Sequence, residues 1–245
     1  MKLLKADNYQ TWYIEEGNNA ILIDPWLSNQ LQPDGSLFIQ RKRDHATVLD
    51  QEKLNNVQAI IITAPFEDHL HIESIKSFKK DVKIYTSKLI KKMLIKAKVK
   101  NTIYILDNKG TDVCSINIRA LPTGFPYHPA TFALLIKDIN GNTIFHEGHI
   151  AKFRFLLKNK IKADVAILTA EEVKLLGFLR LGMDYKRTLR ACKILDAKSL
   201  FITGSNPGDT KGIIGKFLLV KPLEKEKLET HIALNHQAGD YINLT

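Results

Sequence analysis

Sulfur chemistry is nearly missing from this sequence: 245 residues contain two cysteines, Cys114 and Cys192. They are too few and too far apart for a zinc ribbon, a C-x-x-C redox pair or a disulfide scaffold, so two buried free thiols are expected. Long apolar runs are missing too. Nothing approaches the roughly 18 residues of a membrane span, and the opening MKLLKADNYQTWYIEEG turns polar too soon for a signal peptide, which makes a cytoplasmic location the expectation. The chain lacks G-x-x-x-x-G-K-[ST] and G-x-G-x-x-G, which argues against ATP and dinucleotide sites. It also lacks G-x-S-x-G, and neither cysteine has a histidine beside it, so no covalent nucleophile is visible. Acidic charge is in deficit: 26 Asp and Glu face 36 Lys and Arg, a net charge of +10. Such a balance favours an anionic partner, whether phosphorylated small molecule, lipid surface or nucleic acid, without choosing among them.

What is present is an ordinary globular composition, with 44% hydrophobic and 25% charged residues, and a length suited to one core. Short apolar runs at 20–23, 59–63, 82–85, 102–106, 116–120, 132–136, 143–145, 165–169 and 200–203 read as buried strands. Helical patterns at 71–78, 87–98, 152–159 and 184–195 lie between some of them, and 138–142 carries a hairpin turn. The order, mixed at first, mainly strand in the middle and mixed again, predicts an α/β protein of two sheets covered by helices. No linker or repeat divides it, so residues 1–245 are taken as one domain, closing on a strand at 239–244. Residues 81–100 hold seven lysines. There Leu89, Ile90, Met93, Leu94 and Ala97 recur at helical spacing behind a cap at Ser87, which puts the lysines on a solvated face. Trp12, Tyr13, Trp26 and the apolar run 213–220 are assigned to the core.

The chemistry gathers in two histidine clusters. After the strand at 59–63 comes Ala64-Pro65-Phe66-Glu67-Asp68-His69-Leu70-His71, and after the strand at 143–145 comes His146-Glu147-Gly148-His149. Strand ends are where α/β proteins place ligands. In extended chain His69 and His71 point the same way, as do Glu147 and His149. In a helix the members of each pair would diverge by about 200°.

These residues resemble the metallo-β-lactamase fold. The run Ile21-Leu22-Ile23-Asp24-Pro25-Trp26-Leu27, then Asp68-His69 just beyond a strand ending in Thr63, is followed in the family's order by the strand pair around Asn140-Gly141, the Gly148 turn and Ala163 to Leu168 before a helix. The resemblance covers nearly the whole chain and implies a four-layer αββα sandwich with one or two metal ions, usually zinc, between its sheets. A metal-bound hydroxide would attack an ester, amide or phosphodiester. The family's H-x-H-x-D-H would occupy 64–69, where Ala64 and Phe66 replace its first two histidines and Asp68 and His69 match. His149 stands in place of the aspartate of a G-D pair, Gly204-Ser205-Asn206 occupies the position of the last histidine, and His128 loosely matches a middle one.

The resemblance therefore implies one of two outcomes. In the first the site is rebuilt: Asp68, His69, His71 and His149, with His128, hold a divalent ion, zinc before manganese or iron. Asp68 and Glu147 are then the catalytic candidates, Glu147 as the base that takes a proton from metal-bound water, and the reaction is hydrolysis of a small anionic substrate. In the second the fold persists without metal or catalysis as a ligand-binding or protein-interaction module, Asp68 capping the next helix and His69 satisfied in the core. Asp24 resembles a family position that supports a ligating histidine, and otherwise initiates the turn at Pro25. The 40–45 stretch ending in His45 reads as a mobile loop or, alternatively, an arginine clamp for a substrate anion, and the 204–211 loop as an ordinary turn or an anion cradle. His231 and His236 are placed outside the site. Nucleic-acid binding rests only on charge and on the nucleases that the resemblance brings with it, and ranks last; no membrane span is expected, and the sequence specifies no oligomeric state.

Overall fold

Strands built from short apolar runs must bury both faces when helices cover one side and a second sheet the other, and this requirement organises the chain. The structure, a computed structural model, describes residues 1–28, 30–31, 40–42, 47–204, 209–211 and 214–245. It opens with β1 (Lys2–Lys5), β2 (Trp12–Glu16) and β3 (Asn19–Ile23), then β4 (Gln30–Leu31) and β5 (Gln40–Lys42). An alternating stretch follows: α1 (Gln51–Asn55), β6 (Val57–Ile61), α2 (Ile72–Lys76), β7 (Lys83–Thr86), α3 (Lys88–Lys96) and β8 (Ile103–Ile105). A meander comes next, β9 (Thr111–Val113), β10 (Ile116–Pro122), β11 (Phe132–Lys137) and β12 (Thr143–His146). Then come α4 (Phe153–Lys158), β13 (Val165–Leu168), the hairpin β14 (Glu172–Leu175) and β15 (Leu179–Arg180), and α5 (Tyr185–Leu195). The chain finishes with β16 (Ser199–Ile202), β17 (Asp209–Lys211), β18 (Leu218–Lys221), α6 (Lys225–Glu229), β19 (Ala233–Asn235) and β20 (Tyr241–Asn243).

Two seven-stranded sheets result, ordered β20-β1-β2-β3-β6-β7-β8 and β19-β16-β13-β12-β11-β10-β9. In each, one half is antiparallel and the other parallel. Parallel neighbours need a crossover, and α2, α3, α4, α5 and α6 supply it. One apolar cluster joins the sheets, with Ile14, Ile21 and Ile60 from the first and Leu134, Ile144 and Ile167 from the second. A second fills the space between the other sheet and its helices, where Phe145, Ala166 and Leu200 meet Leu156, Ala191, Leu195 and Leu228. The expected αββα sandwich is thus present, and the strands at 20–23, 116–120 and 132–136 fall within one or two residues of their expected bounds.

Some expectations need correction. Along α3 only Ile90 and Leu94 are buried, while Leu89 and Met93 are exposed, so its apolar stripe is narrower than the spacing suggested. Ser87 does cap it, accepting from the Ile90 amide at 3.3 Å. The run 213–220 is not core where it is described: Phe217, Leu219 and Val220 are exposed, and Ile213 lies outside the described residues. Its end falls in β18, which pairs with β14 in a separate three-stranded sheet, β15-β14-β18, that the sequence patterning did not reveal. Both cysteines are free; Cys192, on the inner face of α5, is buried with its thiol pushed up to about 12 by that burial, whereas Cys114 is only half-buried. Among the described residues no helix is long and apolar enough to cross a membrane. His45 and residues 205–208 lie outside the described residues, as does the side-chain detail of residues 40–42.

Candidate functional site

The C-terminal ends of the neighbouring parallel strands β3 and β6 bring Asp24 and Thr63 together. Asp24 is fully buried and left-handed (φ 49°), a conformation that aspartate tolerates better than most residues. Its Oδ1 accepts from the Thr63 amide at 2.8 Å, and its Oδ2 accepts from the Thr63 hydroxyl at 2.5 Å. The same Oδ2 lies 2.7 Å from His69 Nδ1. A carboxylate in that position is an acceptor only, so it fixes a proton on Nδ1, and in the neutral ring the lone pair is then on Nε2.

His69 is buried in a turn in which its own amide and that of Leu70 both donate to the Phe66 carbonyl. The turn ends the extended geometry that would have aligned His69 with His71. His71 instead occupies the N-cap of α2, its Nδ1 accepting from the Ser74 amide at 3.2 Å and lying 2.7 Å from the Ser74 hydroxyl. The capping role considered for Asp68 thus falls to His71. Asp68 is half-buried and accepts from the Tyr9 hydroxyl at 2.7 Å. Tyr9 also receives the Gly204 amide on its carbonyl at 3.0 Å, tying the first loop to the end of β16. Next to it the buried Lys5 donates to the Ile202 carbonyl at 2.5 Å.

From the opposite sheet β12 delivers the second cluster, and a tight turn splits it in three directions. Strand alternation puts His146 on the same face as Ile144, between the sheets. There it packs edge-on against Trp12, with ring centroids 6.5 Å apart. Burial pushes the His146 imidazole down to about 4, with the nearby Asp24 charge opposing and His69 adding to the effect. Glu147 turns the other way: fully buried, it accepts from the Thr169 amide at 2.5 Å on the side of Arg187 and α5. Burial pushes its carboxyl up to about 8. Gly148 follows at φ +59°, where a β-carbon would stand 2.1 Å from the Phe132 carbonyl oxygen. His149 then adopts φ 120°, a costly conformation for a side-chain-bearing residue and a mark of positions held for a purpose. Glu147 and His149 therefore do not share a direction.

His149 is the residue that reaches His69. Their ring centroids are 4.5 Å apart, and the Tyr127 ring stacks on His149 at 4.1 Å and 8°. Phe66, at the position of a family histidine, stands edge-on to His149, Tyr127 and His69 at centroid distances of 5.4, 6.0 and 6.5 Å. His128, one residue beyond Tyr127, is exposed. Of the residues singled out from sequence, the fold brings together Asp24, His69 and His149, with Asp68 in the same turn as His69, and turns His71, Glu147 and His128 elsewhere. Sequence reasoning missed His146, although the two-residue period of β12 placed it, and it missed Tyr127 and Tyr9, which carried no motif.

The family's metal ion can be tested against these donors. Zinc takes three or four protein ligands. Here His69 and His149 face each other, but the places of the first two family histidines hold Ala64 and an aromatic ring. Among the described residues no group of three or more His, Cys, Asp or Glu side chains comes together to hold an ion. The described residues do not fit the family's metal centre.

Comparison with known proteins agrees with this scaffold. The family described as "Beta-lactamase superfamily domain" matches residues 6–201. No curated protein matches the sequence. Among solved structures, the chain is similar to a possible metal-dependent hydrolase from Veillonella parvula, with a TM-score of 0.75, 18% identity and coverage of 100% of this chain and 99% of that one. It is similar to isothiocyanate hydrolase from Delia radicum gut bacteria, with a TM-score of 0.75, 18% identity and full coverage of both chains. It also resembles a diiron beta-hydroxylase from Streptomyces venezuelae, with a TM-score of 0.69, 14% identity and coverage of 99% of this chain and 54% of that one. At these identities the likeness is one of fold.

Proposed function

Because the chain belongs to the beta-lactamase superfamily, we propose that it is a hydrolase of small molecules whose reactive group is the His69 imidazole. The observation that carries this reading is the 2.7 Å contact between the buried Asp24 carboxylate and His69 Nδ1, which leaves Nε2 as the basic nitrogen. An imidazole oriented by a buried carboxylate can take a proton from water and return it to a leaving group. His149, held at an unfavourable backbone angle with its ring 4.5 Å from that of His69, is the second polar group at the centre. The Phe66 and Tyr127 rings give the centre apolar walls that restrict water around it. The net charge of +10 favours an anionic substrate. Metal-dependent hydrolysis, as in several structures of this fold, would need a donor beyond His69 and His149, so no step here runs through an ion.

The experiment is a screen of esters, lactones, isothiocyanates and phosphodiesters, using protein purified without added metal or a histidine tag. It is run beside His69→Ala and His149→Ala, with elemental analysis of all three. Hydrolysis that falls at least a hundredfold in His69→Ala supports the reading. About one equivalent of metal, lost in both variants, would make the centre metal-dependent, with zinc before manganese or iron. Hydrolysis that survives His69→Ala unchanged would overturn it.

A further inference from the structure

The small sheet β15-β14-β18 stands apart from both large sheets and concentrates exposed apolar side chains at one end. Its register pairs Leu175 with both Leu179 and Leu218, so the turn Leu176-Gly177-Phe178 and the residue before β18, Phe217, share that end. The Leu176 amide donates to the Phe217 carbonyl at 3.0 Å, which closes the tip. Phe178 is 76% exposed, Leu219 61%, Leu176 57% and Phe217 50%. Scattered single apolar residues are ordinary on a surface, but four large ones on one small three-stranded sheet and its turn are not.

Behind this tip, along the rest of the small sheet, the charge is cationic. Lys174, Arg180 and Lys221 crowd one carboxylate, Glu172, at 2.8, 3.3 and 3.1 Å, and Arg180 also pairs with Asp184 at 2.7 Å. Lys216 beside Phe217 is exposed. Four cations therefore stand against two carboxylates. Two copies of this surface would oppose like charges, which disfavours a homodimer through it. Aromatic and aliphatic side chains projecting from a cationic collar suit an anionic lipid surface, the apolar tips entering the acyl boundary and the ammonium groups meeting phosphates.

We propose that this hairpin docks the protein peripherally on anionic membranes. The proposal is independent of the chemistry at His69, although the Tyr127 hydroxyl donates to the Leu181 carbonyl at 2.8 Å and so ties the hairpin's base to the wall of that site. The test is co-sedimentation of the full chain with vesicles of phosphatidylcholine alone or mixed with phosphatidylglycerol. The comparison set is Phe178→Ser/Phe217→Ser, Lys216→Glu/Lys221→Glu and His69→Ala. Binding is expected to the mixed vesicles only, to weaken with salt, to drop about tenfold or more in each double variant, and to be unchanged in His69→Ala. Far-ultraviolet circular dichroism and melting temperature check that the variants fold. Failure of the wild type to sediment with mixed vesicles, or double variants that bind as well as it does, would overturn the proposal. So would a lipid-free dimer that Phe178→Ser/Phe217→Ser dissolves.

Discussion

Asp24 Oδ2, just past the end of β3, and His69 Nδ1, in the turn beyond β6, meet at 2.7 Å, and both residues are buried. Asp24 also receives both the amide and the hydroxyl of Thr63. Three donors converge on one carboxylate, which makes its charge essential to the local geometry.

Replacing Asp24 with Asn removes that charge and turns an NH2 group toward at least one of those donors. The loss of a buried, multiply bonded acceptor is expected to cost about 3 kcal/mol. It should also cut any hydrolytic turnover by two to three orders of magnitude by releasing the His69 tautomer. Urea unfolding and turnover of Asp24→Asn beside the wild type check both.

Gly148 tolerates no side chain. A β-carbon there would lie 2.1 Å from the Phe132 carbonyl oxygen, at a φ of +59°. Gly148→Ala must push β11 and β12 apart or unwind the turn, so it should lose several kcal/mol, on the order of 3 or more, or fail to fold. The urea midpoint reads this directly.

Glu147 gives the protein a pH signature. Its carboxyl is pushed up to about 8 from an ordinary 4.5, with burial as the main cause. Between these values the native state holds a proton that the unfolded chain has released, so its contribution to stability is full below about 4.5 and is lost as pH rises through about 8. His146, pushed down to about 4 from 6.5, acts oppositely over its own window, since there the unfolded chain holds the extra proton. Comparing the wild type with Glu147→Gln isolates the first effect. The variant should gain on the wild type steadily from pH 5 to pH 8 in thermal melts, by a total on the order of a few kcal/mol.

Phe66 occupies the space a further ligand would need, with its ring centroid 5.4 Å from that of His149 and 6.5 Å from that of His69. Phe66→His adds a third imidazole, and three are enough for a zinc site. Zinc at a hundred times its dissociation constant would then stabilise the variant by about 2.7 kcal/mol. A zinc-dependent rise in melting temperature larger than that of the wild type is the expected result.

The sequence carried the scaffold and one half of the centre. His69 was legible because it follows a strand whose apolar run ends cleanly and matches a family pattern; Asp24 was legible only as one of two readings, a support for that histidine or the start of the Pro25 turn. The second half was misread where strand alternation was carried past a strand's end. The turn onto the Phe66 carbonyl sends His71 to cap α2 instead of joining His69. The positive φ angles of Gly148 and His149 part Glu147 from His149. His146 lay inside β12, where alternation does hold, and its inward direction followed from Ile144. The hairpin at β14 and β15 carries no unbroken apolar run: Glu172-Val173-Lys174-Leu175 alternates polar and apolar, a half-buried strand's pattern too short here to stand out. The apolar stretch at β18 read as core because exposure depends on what covers a strand, which composition does not encode.

The account rests on Asp24 presenting a basic Nε2 at His69, and the nitrogen–proton two-bond spectrum of 15N-histidine-labelled protein observes it directly, with His69 assigned by its loss in His69→Gln. The predicted result at neutral pH is a proton on Nδ1 and an unprotonated Nε2, the pattern dispersing in Asp24→Asn. A proton on Nε2 with Nδ1 bare, or a spectrum that Asp24→Asn leaves unaltered, would contradict it.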